Sequence, residues 1–233
     1  AVPSSQFAIP QQQLQASGAL VLDDILRQAP GLSLFRRSSS LFANPTSQGV
    51  SMRGIGASGP SRAVVLVDGI PLNDPFGGWV YWNQVPRVSI AGAQVFNGAE
   101  SDTYGTGALA GVINVTTRQE RKLFGVLEAS YGSKDTPALS FAGGFFPKQW
   151  GIAASGQVLR THGYILIPEG TRGLVDTRAG TADLVGSVEL SRTLGKQGRF
   201  FVGGSSFGES RKNGTPATFN NTRIPTYRLG ADW

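Results

Sequence analysis

The sequence predicts an α+β domain followed by antiparallel transmembrane β-barrel strands, an incomplete barrel of about six strands. Three observations predict it. Glycine fills 32 of 233 positions and charged residues only 15%, against roughly 7% and 25% in an average soluble domain. Glycine at that density costs about 1 kcal/mol per helical site, which excludes a long helical bundle. The texture of the chain changes near residue 120, from mixed helix and strand signals to segments of about ten residues that alternate apolar and polar. Finally, no apolar run approaches the ~18 residues of a spanning helix, so any membrane contact falls to strands.

In the first half, Leu22, Ile25, Leu26 and Ala29 recur at i, i+3, i+4 and i+7, the stripe of a short helix. Ser17 is a candidate N-cap, Asp23 and Asp24 suit the positive end of the dipole, and Pro30-Gly31 stops the helix. Strands are expected at 32–36, 49–53 and 63–67. The last, Ala63-Val64-Val65-Leu66-Val67, is continuously apolar and reads as a central strand buried on both faces. Asp68-Gly69 and Asn73-Asp74-Pro75 mark turns. Further strands fit 88–96 and 112–117, with one helical turn at 101–104 between them.

In the second half six strands are expected, at 123–131, 138–146, 149–160, 182–194, 198–208 and 226–233. Leu123, Gly125, Leu127, Ala129 and Tyr131 share one face of the first, with Glu128 and Ser130 on the other. A soluble sandwich is the plain alternative for such alternation. Two features favour a membrane barrel. Tyr131, Phe145, Phe146, Trp150, Tyr227 and Trp233 sit near strand ends, as an interfacial girdle requires. Short connections after the second and fourth strands also alternate with long ones near 161–181 and 209–225.

The chemistry a sequence can advertise is largely missing. There is no Cys, one His and one Met, so no cofactor, disulfide or thiolate metal site is expected. The net charge of +6 is spread singly between turns and strands, which argues against nucleic acid. Gly54-Ile55-Gly56-Ala57-Ser58-Gly59 has the spacing of a dinucleotide fingerprint, but Pro60 and a strand come directly after it, so no helix N-terminus is offered to a phosphate. No nucleophile elbow is present, and His162 lies in a polar loop without an evident partner. Asp68 reads as a turn residue. No catalytic residue is predicted and the protein is not read as an enzyme. The loop 73–82 is the exception, with Phe76, Trp79, Tyr81 and Trp82 inside seven residues. These can pack against a neighbouring wall or form an aromatic ligand platform.

Four segments in order then resemble one family: Leu22-Asp23-Asp24-Ile25-Leu26-Arg27 with Pro30-Gly31-Leu32; Val50-Ser51-Met52-Arg53-Gly54; Val64-Val65-Leu66-Val67-Asp68-Gly69-Ile70-Pro71; and the run from Tyr104-Gly105-Thr106-Gly107 to Val115-Thr116-Thr117-Arg118. Together they resemble the plug domain of TonB-dependent outer-membrane receptors, and the alternating segments after residue 120 are similar to the opening strands of that family's barrel. The resemblance implies a plug over 1–119 and the N-terminal portion of the barrel over 120–233. It implies uptake of a large scarce nutrient (siderophore-iron, cobalamin or glycan class) across the bacterial cell outer membrane, with the inner-membrane TonB complex, the nutrient and outer-membrane lipid as partners. A passive plugged pore or adhesin-type barrel is the alternative.

Within that family reading, loops 38–48 and 73–82 are expected to touch ligand, through Phe76, Trp79, Tyr81 and Trp82 with Arg37 and Asn73 as polar contacts. Arg53 is expected to hold the plug against a barrel carboxylate, with Glu128 and Glu189 as partners within this chain. Gln94 and Asn97 stand where the family carries Glu and Arg, so half of that electrostatic lock is missing. No TonB-box segment is evident before the helix. Six strands cannot close around a plug of this size, since about eight only enclose side chains. The native chain is therefore expected to continue past Trp233 with further strands, the last closing against 123–131.

Overall fold

The computed structural model describes residues 5–34, 36, 38–54, 61–98, 106–119, 121–195 and 198–232. The chain divides into two compact units, residues 1–83 with 90–118, and residues 84–89 with 119–233.

The first unit is built on a five-stranded sheet of order β1-β6-β7-β4-β5. Its strands are β1 (Ser5–Pro10), β4 (Ala63–Val67), β5 (Ile70–Pro71), β6 (Ile90–Asn97) and β7 (Gly111–Thr117). Strands β4 and β7 are parallel, and the other pairs are antiparallel. The core is made where these strands alternate inward: Val65, Val95, Ile113 and Val115 are all fully buried. The centre of the sheet is β7, and β4 lies one place to its side. The sequence overestimates the coverage of β4, because β5 pairs only with its last two residues, Leu66 and Val67. A second, two-stranded sheet joins β2 (Leu32–Leu34) to β3 (Val50–Met52).

Helix α2 (Leu22–Leu26) buries Leu22, Ile25 and Leu26, as its apolar spacing requires. Its N-cap is Val21 in an extended conformation with no side-chain cap, and the Ser17 hydroxyl instead accepts from the Ala19 N–H at 3.2 Å. The expected cap at Ser17 is therefore wrong by four residues. Helix α1 (Gln11–Ala16) and strand β1 have no counterpart in the sequence reading. Leu14 is the one buried residue of α1, so the helix has no stripe to detect. Strand β1 exists because β6 pairs with it. The helical turn expected at 101–104 lies outside the described residues, as does most of the glycine motif at 54–59.

The second unit is a six-stranded antiparallel sheet with consecutive neighbours, β8 to β13. The strands are β8 (Phe124–Gly132), β9 (Thr136–Phe145), β10 (Trp150–Arg160), β11 (Ala179–Leu194), β12 (Gly198–Asn213) and β13 (Phe219–Asp232). One connection, 161–178, is long. The second long loop expected near 209–225 shrinks to 214–218, because β12 and β13 continue through it. At 16 residues, β11 and β12 exceed the ~9–11 that a tilted strand needs to cross hydrocarbon, so strand takes the place of loop at that end.

Alternation runs across the whole sheet. One face exposes Leu127, Tyr131, Ile152, Leu184, Leu190, Tyr227 and Leu229, and the other carries Glu128, Gln157, Asp183, Glu189 and Glu209. The register keeps like with like: Ile152 faces Leu190, which faces Val202, which faces Leu229. Gly156 faces Phe141, and a β-carbon on it would meet that ring at 2.6 Å, so the aromatic ring fills the space the glycine leaves. Large apolar side chains stand exposed in contiguous rows on that face, the pattern expected of barrel strands.

Candidate functional site

The loop after β5 is built around two polar side chains. Asn73 acts as a strand substitute: its Oδ1 accepts from the Val65 N–H at 2.7 Å and its Nδ2 donates to the Ala63 carbonyl at 3.2 Å. It supplies the edge partners of β4 that the two-residue β5 cannot. The Asp74 carboxylate accepts from the N–H groups of Phe76 (3.0 Å) and Gly77 (2.7 Å), an Asx-type turn. Gly78 closes the loop at φ +70, and the Trp79 ring lies so close over Gly77 that any β-carbon there would overlap it.

This geometry separates the four aromatics. Phe76 stands at the tip, 97% exposed. Trp79 is half-buried against the loop, while Tyr81 and Trp82 are buried, Trp82 almost completely. The four do not form one exposed platform: two of them are core. Asn73 is spent on backbone groups rather than presented as a polar contact. Arg37 lies outside the described residues.

The neighbouring loop is held from below. Asp23 is fully buried and accepts from Arg36 Nη2 (2.6 Å), the Ser40 hydroxyl (2.7 Å) and the Ser40 N–H (3.2 Å). Arg36 also donates to the Ser38 carbonyl, as does Arg27. Asp23 is thus a loop anchor and not a dipole charge. Asp24 beside it pairs with Arg27 at 3.2 Å, and burial, reinforced by the Asp23 charge, pushes its carboxyl above the usual range. The Gln48 side chain donates to the Ser40 and Ala43 carbonyls, and the Gln48 backbone carbonyl accepts from the Val80 N–H at 3.2 Å. Loops 38–48 and 73–82 are therefore braced as one surface of the first unit, with Phe76 its most prominent apolar feature.

In the second unit, Arg87 in the turn Arg87–Ser89 pairs with Glu128 of β8. Glu189 pairs with Arg199 and, at 3.7 Å, with Arg228. Both carboxylates expected for Arg53 are engaged by other arginines. Arg53 itself is exposed at φ +52, with its N–H donating to the Gly31 carbonyl at 2.7 Å. Asn97 is buried and donates to the Pro30 carbonyl at 2.9 Å, tying the end of β6 to the turn after α2. His162 has a partner the sequence hid: its Nδ1 lies 2.7 Å from Asp135, and its Nε2 lies 3.0 Å from Arg160 Nη2. Sequence reasoning missed Arg87 because 88–96 reads as continuous strand and its partner is 41 residues away.

Residues 1–112 match the TonB-dependent Receptor Plug Domain family. They are a TonB-dependent receptor plug. Among curated relatives, the chain is 30% identical over 142 residues to the vitamin B12 transporter BtuB of Vibrio cholerae serotype O1, covering 58% of this chain and 21% of the transporter. It is 30% identical over 108 residues to the probable TonB-dependent siderophore receptor PirA of Acinetobacter baumannii, covering 42% of this chain and 14% of the receptor. The chain thus spans about a fifth or less of these relatives. The crystal structure of PirA from A. baumannii superposes with a TM-score of 0.70 at 21% identity over 88% of this chain and 32% of that one. PirA from Pseudomonas aeruginosa gives 0.70 at 20% identity over 97% and 37%. These superpositions include the strands after the plug, so the fold is a TonB-dependent receptor plug with antiparallel barrel strands attached.

Proposed function

We propose that this chain belongs to an outer-membrane receptor that takes up a large, scarce nutrient of the siderophore or cobalamin class, energised by the TonB complex of the inner membrane. The observation that carries the reading is a plug domain joined directly to antiparallel strands with an open apolar face. Relatives named as a vitamin B12 transporter and as siderophore receptors support the ligand class. A plug occupying a barrel needs energy input to let a large solute pass, which is why a passive pore is the poorer reading.

In this proposal residues 1–119 act as the plug and 120–233 as the opening of the barrel wall in the bacterial outer membrane. Loops 38–48 and 73–82 face the outside. Phe76 is the leading ligand contact, since an exposed phenyl on a braced loop offers apolar area at little ordering cost. Trp79 is the second aromatic contact, and Arg37, which lies outside the described residues, is kept as a proposed polar contact with ligand. Arg53 pairs with a carboxylate of the barrel other than Glu128 and Glu189, and Arg87 fastens the segment 84–89 to the wall. The test is growth of a strain lacking the whole receptor on single iron-siderophore or cobalamin sources. Loss of growth on one source, restored by the receptor gene, supports the reading, and normal growth on all of them with unchanged uptake counts against it.

A further inference from the structure

The charges on the six strands are sorted by face. Among the described residues, the five strand carboxylates, Glu128, Asp183, Glu189, Glu209 and Asp232, all lie on the face opposite the apolar rows. The apolar face carries charge too, and among the described residues all of it is cationic: Arg160, Arg192, Lys212 and Arg223, each exposed. Three of the four gather at the end that bears the long 161–178 connection. The register sets Arg160 against Ala182, which faces Ser210; Lys212 faces Gly180 and Phe219; and Arg223 faces Gly208. Neighbouring strands are about 4.8 Å apart, so the outermost cations are separated by roughly 14 Å across the sheet. The residues between them, Ala182, Ser210 and Gly208, have little or no side chain, leaving a shallow trough into which the long cationic side chains can lean. Arg160 is oriented by His162, whose other nitrogen is held by Asp135, itself bonded to the Tyr131 hydroxyl at 2.7 Å. Lys212 and Arg223 have no ion-pair partner among the described residues. The fourth cation, Arg192, stands at the opposite end with its guanidinium 5.1 Å from the Trp150 ring centroid.

No strand carboxylate lies on that face; Asp135, in the turn between β8 and β9, reaches Arg160 through His162, while Lys212 and Arg223 have no such anion beside them among the described residues, so the three cations together carry excess positive charge. We propose that Arg160, Lys212 and Arg223 form a headgroup site for a phosphate-bearing anionic membrane lipid in the leaflet at the long-loop end. Guanidinium forks suit phosphate oxygens, lysine adds a point charge, and the apolar rows below accept the acyl chains. The proposal rests on the reading of these strands as a membrane wall.

The test uses the whole receptor in phosphatidylcholine bilayers and measures the association of spin-labelled phosphatidylglycerol against spin-labelled phosphatidylcholine. The wild type is expected to select phosphatidylglycerol, less so at high salt. The triple variant Arg160→Gln, Lys212→Gln, Arg223→Gln should lose about five-fold or more of that preference, while Arg192→Gln at the other end keeps most of it. Thermal unfolding of each variant checks that the wall is intact. A receptor that inserts but shows no preference, or a triple variant that keeps it, overturns the proposal alone. A receptor that does not enter phosphatidylcholine bilayers overturns the membrane reading and this site with it.

Discussion

Asp23 and Phe76 illustrate what single residues contribute to this fold and to its use. Asp23 is fully buried with three donors on it, so Asp23→Ala strands the Arg36 guanidinium in the core. Breaking a buried pair from one side costs about 3–5 kcal/mol, and urea unfolding of the receptor's plug should show a loss of that order. Asp24→Asn should be harmless by comparison. Its folded carboxyl sits above the unfolded value, so ionising it opposes folding. That penalty is absent below the unfolded pKa, grows as pH rises through the folded one, and is complete at neutral pH. The substitution should therefore leave stability at pH 7 equal or higher, with no change at strongly acid pH. Phe76→Ala should leave stability within about 0.5 kcal/mol, as exposed substitutions do, yet weaken ligand binding. Equal ligand affinity in the variant, measured by titration with the nutrient identified in the growth test, would remove Phe76 from the site. Trp82→Ala is a poor probe of binding because emptying its buried position costs about 3–5 kcal/mol of packing. Residue roles were the least legible part of the sequence. Burial of Tyr81 and Trp82 and the partners of Arg87 and His162 depend on contacts between distant segments, and no local pattern encodes those.

Elements were more legible, and unevenly so. The strands of the second unit could be read because one face is apolar and the other polar, which gives a period of two. Their ends could not, since polar residues such as Asn220, Asn221 and Thr222 look like loop but are paired by β12. Strand β4 was readable from its apolar run, while β1 and α1 were invisible because a partner strand, not composition, makes them. The short β5 gives Asn73 its importance: Asn73→Ala leaves the Val65 N–H and Ala63 carbonyl without their side-chain partner and should destabilise the plug by about 1–3 kcal/mol. Asn73→Asp should recover the acceptor but not the donor, giving an intermediate loss in the same unfolding measurement.

At the scale of the whole molecule, the sequence order of four short motifs already pointed to a plug, and the family match over residues 1–112 shows it. What the sequence could not convey is which charges on one face of the sheet come together, since that needs the register of all six strands. Energised import is the central claim of the proposed function. The direct measurement is uptake of the radiolabelled nutrient by cells carrying the whole receptor, with and without a protonophore that collapses the inner-membrane gradient. Energised import predicts accumulation that stops when the gradient is collapsed, while surface binding of the nutrient persists. Uptake at an unchanged rate in de-energised cells would contradict it.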